Sequence, residues 1–371
     1  KDGKVLVDNP DSGCVMRCDP DGSNLEVFAT GLRNPQELAF DDFGNLWTCD
    51  NNCDAGDKAR GVYLMEDGDC GWRIGYQQAP GAGPWMAEKL WEMDAGKTAP
   101  SEVPPVAHIG HGPSGFCWNG GVGLSEAYDR HFFLANFPGN VLTWSVKPRG
   151  AGFEIVNLRS FLSDFSPTDV EIGNDGALYV TDWTPGWNMP NKGRLYRVVD
   201  PSREKSEAVR EAKALIAEGM AKRPAPELSK LLGHADQRVR QAAQFELADQ
   251  KASAVLTGAA AKGNPLLMRL HGIWGLGQLG EAGPVAALLG DEDPEVRAQA
   301  AKVSGDLRAA AAFDPLVGLL KDPGARVRSF AATALGKLGR KDAAGPLVEL
   351  LRENADQDPW LRHAGVAALA R

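Results

Sequence analysis

Short apolar stretches separated by turn residues fill the chain as far as residue 200, and longer helical periods replace them beyond it. Runs such as 36–40, 45–49 and 177–181 lie between Gly, Asn, Asp and Pro, which is typical of β-strands joined by tight turns. One strand–turn–strand unit recurs over 35–50, 113–136 and 167–182. Because repeated four-stranded units are typical of propeller blades, the pattern predicts about three blades, preceded by the last part of an earlier one.

These blades predict an all-β partial propeller of the six-bladed type. Closing such a propeller needs about two further blades, which we expect upstream of Lys1. The chain opens on an apparent strand at Lys4–Val7 and closes on a helical pattern over Trp360–Arg371 that simply stops. We therefore expect both ends to be truncated, with the N-terminal blades missing.

The second part of the chain repeats with a different period. Arginines recur at 240, 269, 297, 328 and 362, with spacings of 29, 28, 31 and 34 residues. Segments rich in Ala and Gly follow them, such as 331–339, and Asp-Pro pairs suited to helix starts lie close before several of them. Small residues let paired helices pack closely. The pattern predicts an all-α solenoid of short HEAT repeats with about five helix pairs, whose concave surface suits a protein partner.

Length and composition agree with two domains, 1–200 and 203–371. A chain of 371 residues is longer than one hydrophobic core usually supports. Eight of the ten Trp residues lie before residue 200. The net charge of −9 argues against nucleic acid and anionic membranes as partners, since both attract cationic surfaces. No apolar run reaches the roughly 18–20 residues of a membrane span.

All six cysteines precede residue 118. Cys14 and Cys18 share a predicted strand, which would place their Cα atoms about 13 Å apart, too far for a disulfide. Cys49 and Cys53 flank a turn and could approach, which leaves Cys70 and Cys117 as the remaining pair. The alternative is that all six are small, partly buried apolar residues. No Cys-x-x-Cys-His is present, so no c-type haem site is predicted.

Unusual residues occur where the first strand of each predicted blade starts and where its second strand ends. In a propeller, both positions lie on the same face. The loops 31–35, 108–114 and 166–169 precede first strands, and 50–57, 136–139 and 182–187 follow second strands. Together they contain an Arg, two His, several carboxylates and two Trp. Such a polar, aromatic-lined face is a candidate binding site. The alternative is ordinary turn chemistry, because Asn, Asp, Gly and Pro dominate turns.

The run Gly31–Asp57, followed by Gly68–Trp72, resembles the glucose/sorbosone dehydrogenase propeller. That family uses pyrroloquinoline quinone and calcium. With HEAT repeats behind the propeller, the whole arrangement resembles membrane-bound dehydrogenases of planctomycetes and verrucomicrobia, which often end in a c-type cytochrome domain. The resemblance implies an extracytoplasmic location, periplasmic or secreted.

The resemblance assigns roles to particular residues. Arg33 and Asn34 match the Arg-Asn pair that contacts the quinone, and Arg offers a planar fork of donors to quinone or carboxylate oxygens. The loop 50–57 matches the segment whose backbone carbonyls meet calcium, although Asn52-Cys53 replaces the family's Gly-Pro. Its carboxylates, Asp50, Asp54 and Asp57, are hard oxygen ligands, so we predict a weak calcium site there. The alternative is a solvated loop.

Several family residues have no equivalent here. The family's catalytic His belongs to an earlier blade, its quinone-binding Lys falls near Pro138, and its later Arg pair falls near Ser166 and Thr168. His111 is therefore the candidate local base, since His titrates near neutral pH. The alternative is a structural His in a Gly-rich turn.

Two functions follow from these observations. The first is a quinone-dependent dehydrogenase of a sugar or polyol, and the second is a non-catalytic propeller that binds carbohydrate or protein. The missing Lys and Arg equivalents favour the second. We expect Arg33 and Asn34 to point toward the central axis near His111 and Asp169, and pyrroloquinoline quinone to bind weakly or not at all.

Overall fold

The computed structural model describes residues 7–92, 103–184 and 192–371. The predicted order of a β region followed by a helical region is confirmed: the last strand ends at Val198, and long helices begin at Glu207. Two features expected from the sequence, the strand from Lys4 and the end of the 182–187 loop, lie at least partly outside the described residues. None of the helices in the described ranges is long and apolar enough to cross a membrane.

In the described residues up to 198, the β region forms four sheets. The first sheet has the order β1-β2-β6, the second β3-β4-β5-β7, the third β8-β9-β10-β11 and the fourth β12-β13-β14. Neighbouring strands run antiparallel, except that β2 and β6 run parallel. The strands are β1 Gly13–Arg17, β2 Glu26–Leu32, β3 Pro35–Phe40, β4 Leu46–Asp50, β5 Arg60–Leu64, β6 Gly68–Asp69, β7 Ala107–His108, β8 Pro113–Trp118, β9 Phe132–Asn136, β10 Gly139–Arg149, β11 Gly152–Phe165, β12 Pro167–Ile172, β13 Leu178–Thr184 and β14 Lys192–Val198.

Between β6 and residue 92, where the described part of this segment ends, the chain forms two short α-helices, α1 (Ile74–Gln78) and α2 (Gly83–Ala87). They carry a small aromatic core in which the ring of Trp85 meets that of Trp72 edge-on, at 5.0 Å between centroids. The sequence pattern did not predict these helices. They bring new side chains to the start of β3.

The first strands of the last three sheets, β3, β8 and β12, lie side by side. A Cβ on Gly115 would lie 2.4 Å from the Cα of Asp169, so only glycine permits this approach of β8 to β12. On the other side of β8, the Glu37 carboxylate accepts the backbone N–H of Phe116. Sheets whose first strands stand next to one another in chain order agree with consecutive blade-like units.

The six cysteines are free thiols. Cys49, Cys53, Cys70 and Cys117 are buried, while Cys14 is half-buried and Cys18 exposed. The possible Cys49–Cys53 disulfide is therefore absent, and the apolar interpretation holds for the four buried residues. Burial raises the pKa of Cys49 and Cys117 well above its ordinary value, so these two thiols are unreactive.

The helical region is built from pairs of helices. After α3, the helices α4 to α13 of the described range 192–371 form five consecutive pairs, and the second members α5, α7, α9, α11 and α13 stack in one row. The bounds are α3 Glu207–Glu218, α4 Ala225–Leu231, α5 Gln237–Asp249, α6 Ser253–Ala260, α7 Leu266–Gln278, α8 Ala282–Ala286, α9 Pro294–Asp306, α10 Phe313–Leu319, α11 Ala325–Leu338, α12 Ala344–Asn354 and α13 Pro359–Ala370.

The recurring arginines have a structural role within the repeats. Nη1 of Arg297 donates to the carbonyls of Asp291 and Glu292, and Nη1 of Arg328 donates in the same way to those of Asp322 and Pro323. Arg240 repeats the pattern with the two residues before Asp236. Each guanidinium thus satisfies carbonyls in the turn before its own helix, which would otherwise lack partners. This accounts for three of the five recurring arginines, whereas Arg269 donates to the carbonyl of Ala260 and pairs with Asp291.

The row of second helices packs against the β region. The backbone N–H of Gln237 donates to the carbonyl of Gly120, Arg238 donates to that of Ile172, and Gln299 donates to that of Phe43. Farther along, His363 Nε2 donates to the carbonyl of Glu66. The first three contacts lie at the ends of first strands or in the turns that follow, and Glu66 lies in the turn after β5. The β region therefore covers part of the HEAT array.

Candidate functional site

Asp50 connects the two sequence segments that carry the predicted site. It is the last residue of β4 and is fully buried. Its carboxylate accepts the backbone N–H groups of Arg33, at 2.9 Å, and Asn34, at 2.8 Å. It also pairs with Arg60 at 2.5 Å between Oδ2 and Nη2. Both carboxylate oxygens are thus already engaged inside the protein.

Arg60 is a residue of this site that the sequence interpretation missed. Its side chain is 1% exposed, and it donates to the carbonyls of Gly31 and Cys70 as well as to Asp50. Its guanidinium lies 4.8 Å from the centre of the Trp85 ring. A buried charge needs such a set of partners. The only signal in the sequence was an Arg at the start of a strand directly after the Asp-rich loop.

Asp57 closes the loop that follows β4. It is 2% exposed and accepts the backbone N–H of Cys53 at 2.9 Å and the indole N–H of Trp85 at 2.9 Å. The Cys53 thiol also donates to this carboxylate, at 3.2 Å. Burial, together with Asp57, raises the pKa of Cys53 to about 11. Asp57 therefore fixes the shape of the loop from the inside.

Asp54 differs from the other two carboxylates. Its side chain is 75% exposed, and it lies 3.5 Å from the Arg33 guanidinium. The structure thus does not bring Asp50, Asp54 and Asp57 to one point, because two are buried with other partners and one faces solvent. In residues 7–92, 103–184 and 192–371, no group of three or more His, Cys, Asp or Glu side chains could hold a metal ion. Calcium binding at this loop stays a prediction.

The loop leaves two amide oxygens without partners. Oδ1 of Asn51 and Oδ1 of Asn52 are buried, and neither has a hydrogen-bond partner among the described residues. The amide nitrogen of Asn52 donates to the carbonyl of Asp57, which holds that side chain in place. Buried acceptors without a donor are rare, and amide oxygens are ligands that calcium accepts. These atoms were not among the predicted site residues.

Arg33 has more local partners than the sequence indicated. Its Nε donates to Oε1 of Gln77 in α1 at 2.8 Å, and its guanidinium lies 5.9 Å from the ring of Trp72. With Asp54 as a third neighbour, the side chain remains 18% exposed. Asp54, 21 residues away in sequence, is a carboxylate that the sequence did not indicate as a neighbour, because only the fold brings it alongside Arg33. The Asn34 residue is exposed, next to Arg33.

His111 lies at the start of the third sheet. Its backbone N–H donates to Oδ1 of Asn136 at 2.8 Å, while the residue as a whole is exposed. Gly110 has φ +65°, and a Cβ there would lie 2.2 Å from the same oxygen. The Gly-rich turn thus has a structural cause, and the imidazole is left at the surface.

The same hydrogen bond recurs in three sheets. A side-chain oxygen at or near the end of the second strand accepts a backbone N–H from just before the first strand. Asp50 does this for Arg33, Asn136 for His111 and Asp182 for Ser166. We call this the strand-end hydrogen bond. Some of the polar residues that the sequence interpretation assigned to a binding face therefore have a structural role.

Asp169 in β12 lies against Gly115 of the neighbouring first strand, β8. Its carboxylate adjoins that of Glu37, and burial, with the nearby Asp169 and Glu171, raises the pKa of Glu37 above its ordinary value. On the same face as His111, the rings of Phe137 and Trp183 stack at 5.8 Å between centroids.

Comparisons with known proteins support the two halves separately. The family model for HEAT repeats matches residues 282–370, which confirms the predicted repeats there. The comparison with curated proteins found no match. Among solved structures, a glucose dehydrogenase is 19% identical with a TM-score of 0.35, and covers 49% of this chain and 49% of its own.

Two further solved structures are similar to parts of the chain. A pyrroloquinoline quinone-bound aldose sugar dehydrogenase from Streptomyces coelicolor is 20% identical, with a TM-score of 0.35. The match covers 50% of this chain and 51% of the dehydrogenase. The CpcE–CpcF complex of a phycocyanin lyase from Nostoc is 20% identical, with a TM-score of 0.33 and coverage of 41% and 66%. The chain spans about half the length of the two dehydrogenases.

Proposed function

We propose that this chain is part of a quinone-dependent dehydrogenase for sugars or polyols that acts outside the cytoplasm. The observation that carries the proposal is the 50–57 loop. Buried Asp50 holds it against the start of β3, and buried Asp57 fixes its shape. It also carries two buried amide oxygens that have no partner among the described residues. Turn chemistry alone accounts for Asp50 but leaves the two amide oxygens unexplained.

The donor set of the loop suits calcium in a different way from the one expected. Asn51 and Asn52 would supply amide oxygens, while Asp54 would supply an exposed carboxylate from the same loop. Calcium takes six to eight oxygen ligands, so water or a substrate hydroxyl would complete the set. Asp50 and Asp57 would position the loop and would not bind the ion.

The donor set suits pyrroloquinoline quinone only in part. When bound, that cofactor would accept the electrons of the oxidised alcohol. Arg33 would be the cation that contacts the quinone, but this side chain already has Gln77 and Asp54 as partners. Each charge-assisted contact contributes about 1.5–3 kcal/mol, so one guanidinium would hold the cofactor weakly. The exposed imidazole of His111 is the proposed local base.

The propeller itself would be completed by further strands. An apolar groove of about 530 Å³ runs beside β1 and β3, and residues of α9 and α11 form its other side. Met16, Leu38 and Phe40, which line it, are 52%, 47% and 55% exposed. Exposed apolar surface of this kind marks a contact area. We propose that additional strands of a six-bladed propeller cover it.

A non-catalytic propeller that binds carbohydrate is the second candidate. It is favoured by the internal partners of Arg33, which leave little of the guanidinium for a cofactor. It would use the same face with the same loop. The two candidates differ in whether the bound sugar is oxidised.

Calorimetry with calcium chloride tests the shared part of the proposal. We expect weak binding that is lost in Asn51→Ala and kept in Gln357→Ala, which removes an exposed amide on the helical array. Absence of calcium binding, or equal binding in both variants, would remove the site. Reduction of an electron-accepting dye by glucose, with calcium and pyrroloquinoline quinone present, then separates the enzyme from the binding module.

A further inference from the structure

A second cleft lies between the β region and the first HEAT repeats, away from the 50–57 loop. It has a volume of about 480 Å³, which is within the usual range for small-molecule sites. The turns at Asn119–Val122 and Asp129–Arg130 form one wall. The turns before α5 and α7 form the other, and Arg203 in the connecting segment lines it too. We call it the Arg203 cleft.

The charges around this cleft do not all pair closely. Arg240 and Asp42 form a buried ion pair, 1% and 5% exposed. Nε of Arg130 lies 3.4 Å from Oδ2 of Asp42, and the Arg130 side chain is 60% exposed. Nη1 of Arg203 lies 3.9 Å from Oδ1 of Asp129. Three arginines and two aspartates thus line the cleft, in a protein whose net charge is −9, while Asp200 and Asp236 interact with Arg203 and Arg240 from outside the lining. The excess positive charge favours an anion at this place.

Two buried polar atoms at the cleft lack partners among the described residues. Nη1 of Arg203 is buried without a hydrogen bond, and so is Oδ1 of Asn119, a residue only 2% exposed. The amide nitrogen of Asn119 donates to the carbonyl of Tyr128, which fixes the orientation of the side chain. Leaving a buried donor and a buried acceptor unpaired is costly. A ligand that brings an anionic acceptor and a hydroxyl donor would satisfy both.

We propose that the Arg203 cleft binds a small hydroxylated carboxylate, such as a hydroxy acid of about six carbons. Its carboxylate would meet the forked donors of Arg203 and Arg130, because a planar guanidinium matches that geometry. Its hydroxyl would donate to Oδ1 of Asn119. The apolar side chains of Pro265, Leu266 and Leu267 complete the wall. This inference does not rest on the dehydrogenase proposal.

Calorimetry with three probes tests the assignment. Sodium D-gluconate carries both groups, acetate carries only the anion, and D-glucitol carries only the hydroxyls. We expect saturable gluconate binding, with acetate and glucitol at least roughly tenfold weaker, since each lacks one set of contacts. Undetectable gluconate binding, or equal binding of glucitol, would overturn the proposal.

Variants place the ligand in the molecule. Arg203→Met should weaken gluconate binding by roughly tenfold to a hundredfold, the effect of one charge-assisted contact. Arg352→Met, which removes a 69% exposed arginine on α12, should leave it unchanged. Arg33→Met should also leave it unchanged, and a loss there would move the ligand to the opposite face and refute the assignment. If circular dichroism finds Arg203→Met unfolded, Arg130→Met provides the same test.

Discussion

Replacing Asp50 by Asn should destabilise the protein through Arg60. The third sheet already makes the strand-end hydrogen bond with an amide, Asn136, so an Asn at position 50 can preserve that bond to Arg33. What changes is the charge opposite Arg60, whose side chain is 1% exposed. Breaking a buried ion pair costs about 3–5 kcal/mol. Two carbonyls and the Trp85 ring still contact Arg60, so we expect about 3 kcal/mol.

Urea unfolding followed by Trp fluorescence measures this free energy. Removing the cation as well, in Asp50→Asn with Arg60→Met, should recover part of the loss, because no buried charge is then left alone. We expect a coupling energy of about 2 kcal/mol in the double-mutant cycle. A loss below about 1 kcal/mol for Asp50→Asn, or strictly additive single changes, would refute the ion-pair reasoning.

Two further predictions concern the helical region and its contact with the β region. Burial, and then the charge of Arg240, lower the pKa of His271 to about 3, below the roughly 6.5 of an unfolded His. The stability that neutral His271 contributes to the folded state is therefore fully present above pH 6.5 and is lost as the pH falls toward 3. His271→Gln should therefore flatten the fall in unfolding free energy between pH 6.5 and 4, and an unchanged slope would count against this. Gly152→Ala should lower Tm, since the new Cβ would lie 2.2 Å from the Trp360 ring, where α13 meets the β region. Gly345→Ala in α12, which would meet nothing within 4 Å, is the control, and equal shifts in the two variants would contradict the contact.

Local patterns were sufficient to predict a β region followed by a helical region. Alternation of apolar and polar positions follows directly from strand geometry, and the 28- to 34-residue spacing of the arginines follows from a repeated helix pair. Arg297 and Arg328 show why that pattern was reliable, because each bonds to carbonyls only five or six residues earlier in the chain. Interactions of such short range leave a clear trace in the sequence.

The site depended on contacts that no local pattern contains. Asp50, Asp54 and Asp57 look alike in the sequence, yet one pairs with Arg60, one faces solvent and one holds the Trp85 indole. Which carboxylate is buried depends on partners up to 28 residues away, including a helical insertion that the pattern did not predict. The packing of the HEAT array on the β region joins residues about 200 apart, such as Asp42 and Arg240. The sequence by itself determined the order of a β region and a repeated helical region, whereas the tertiary structure decided which polar groups are used internally and which are left for a ligand.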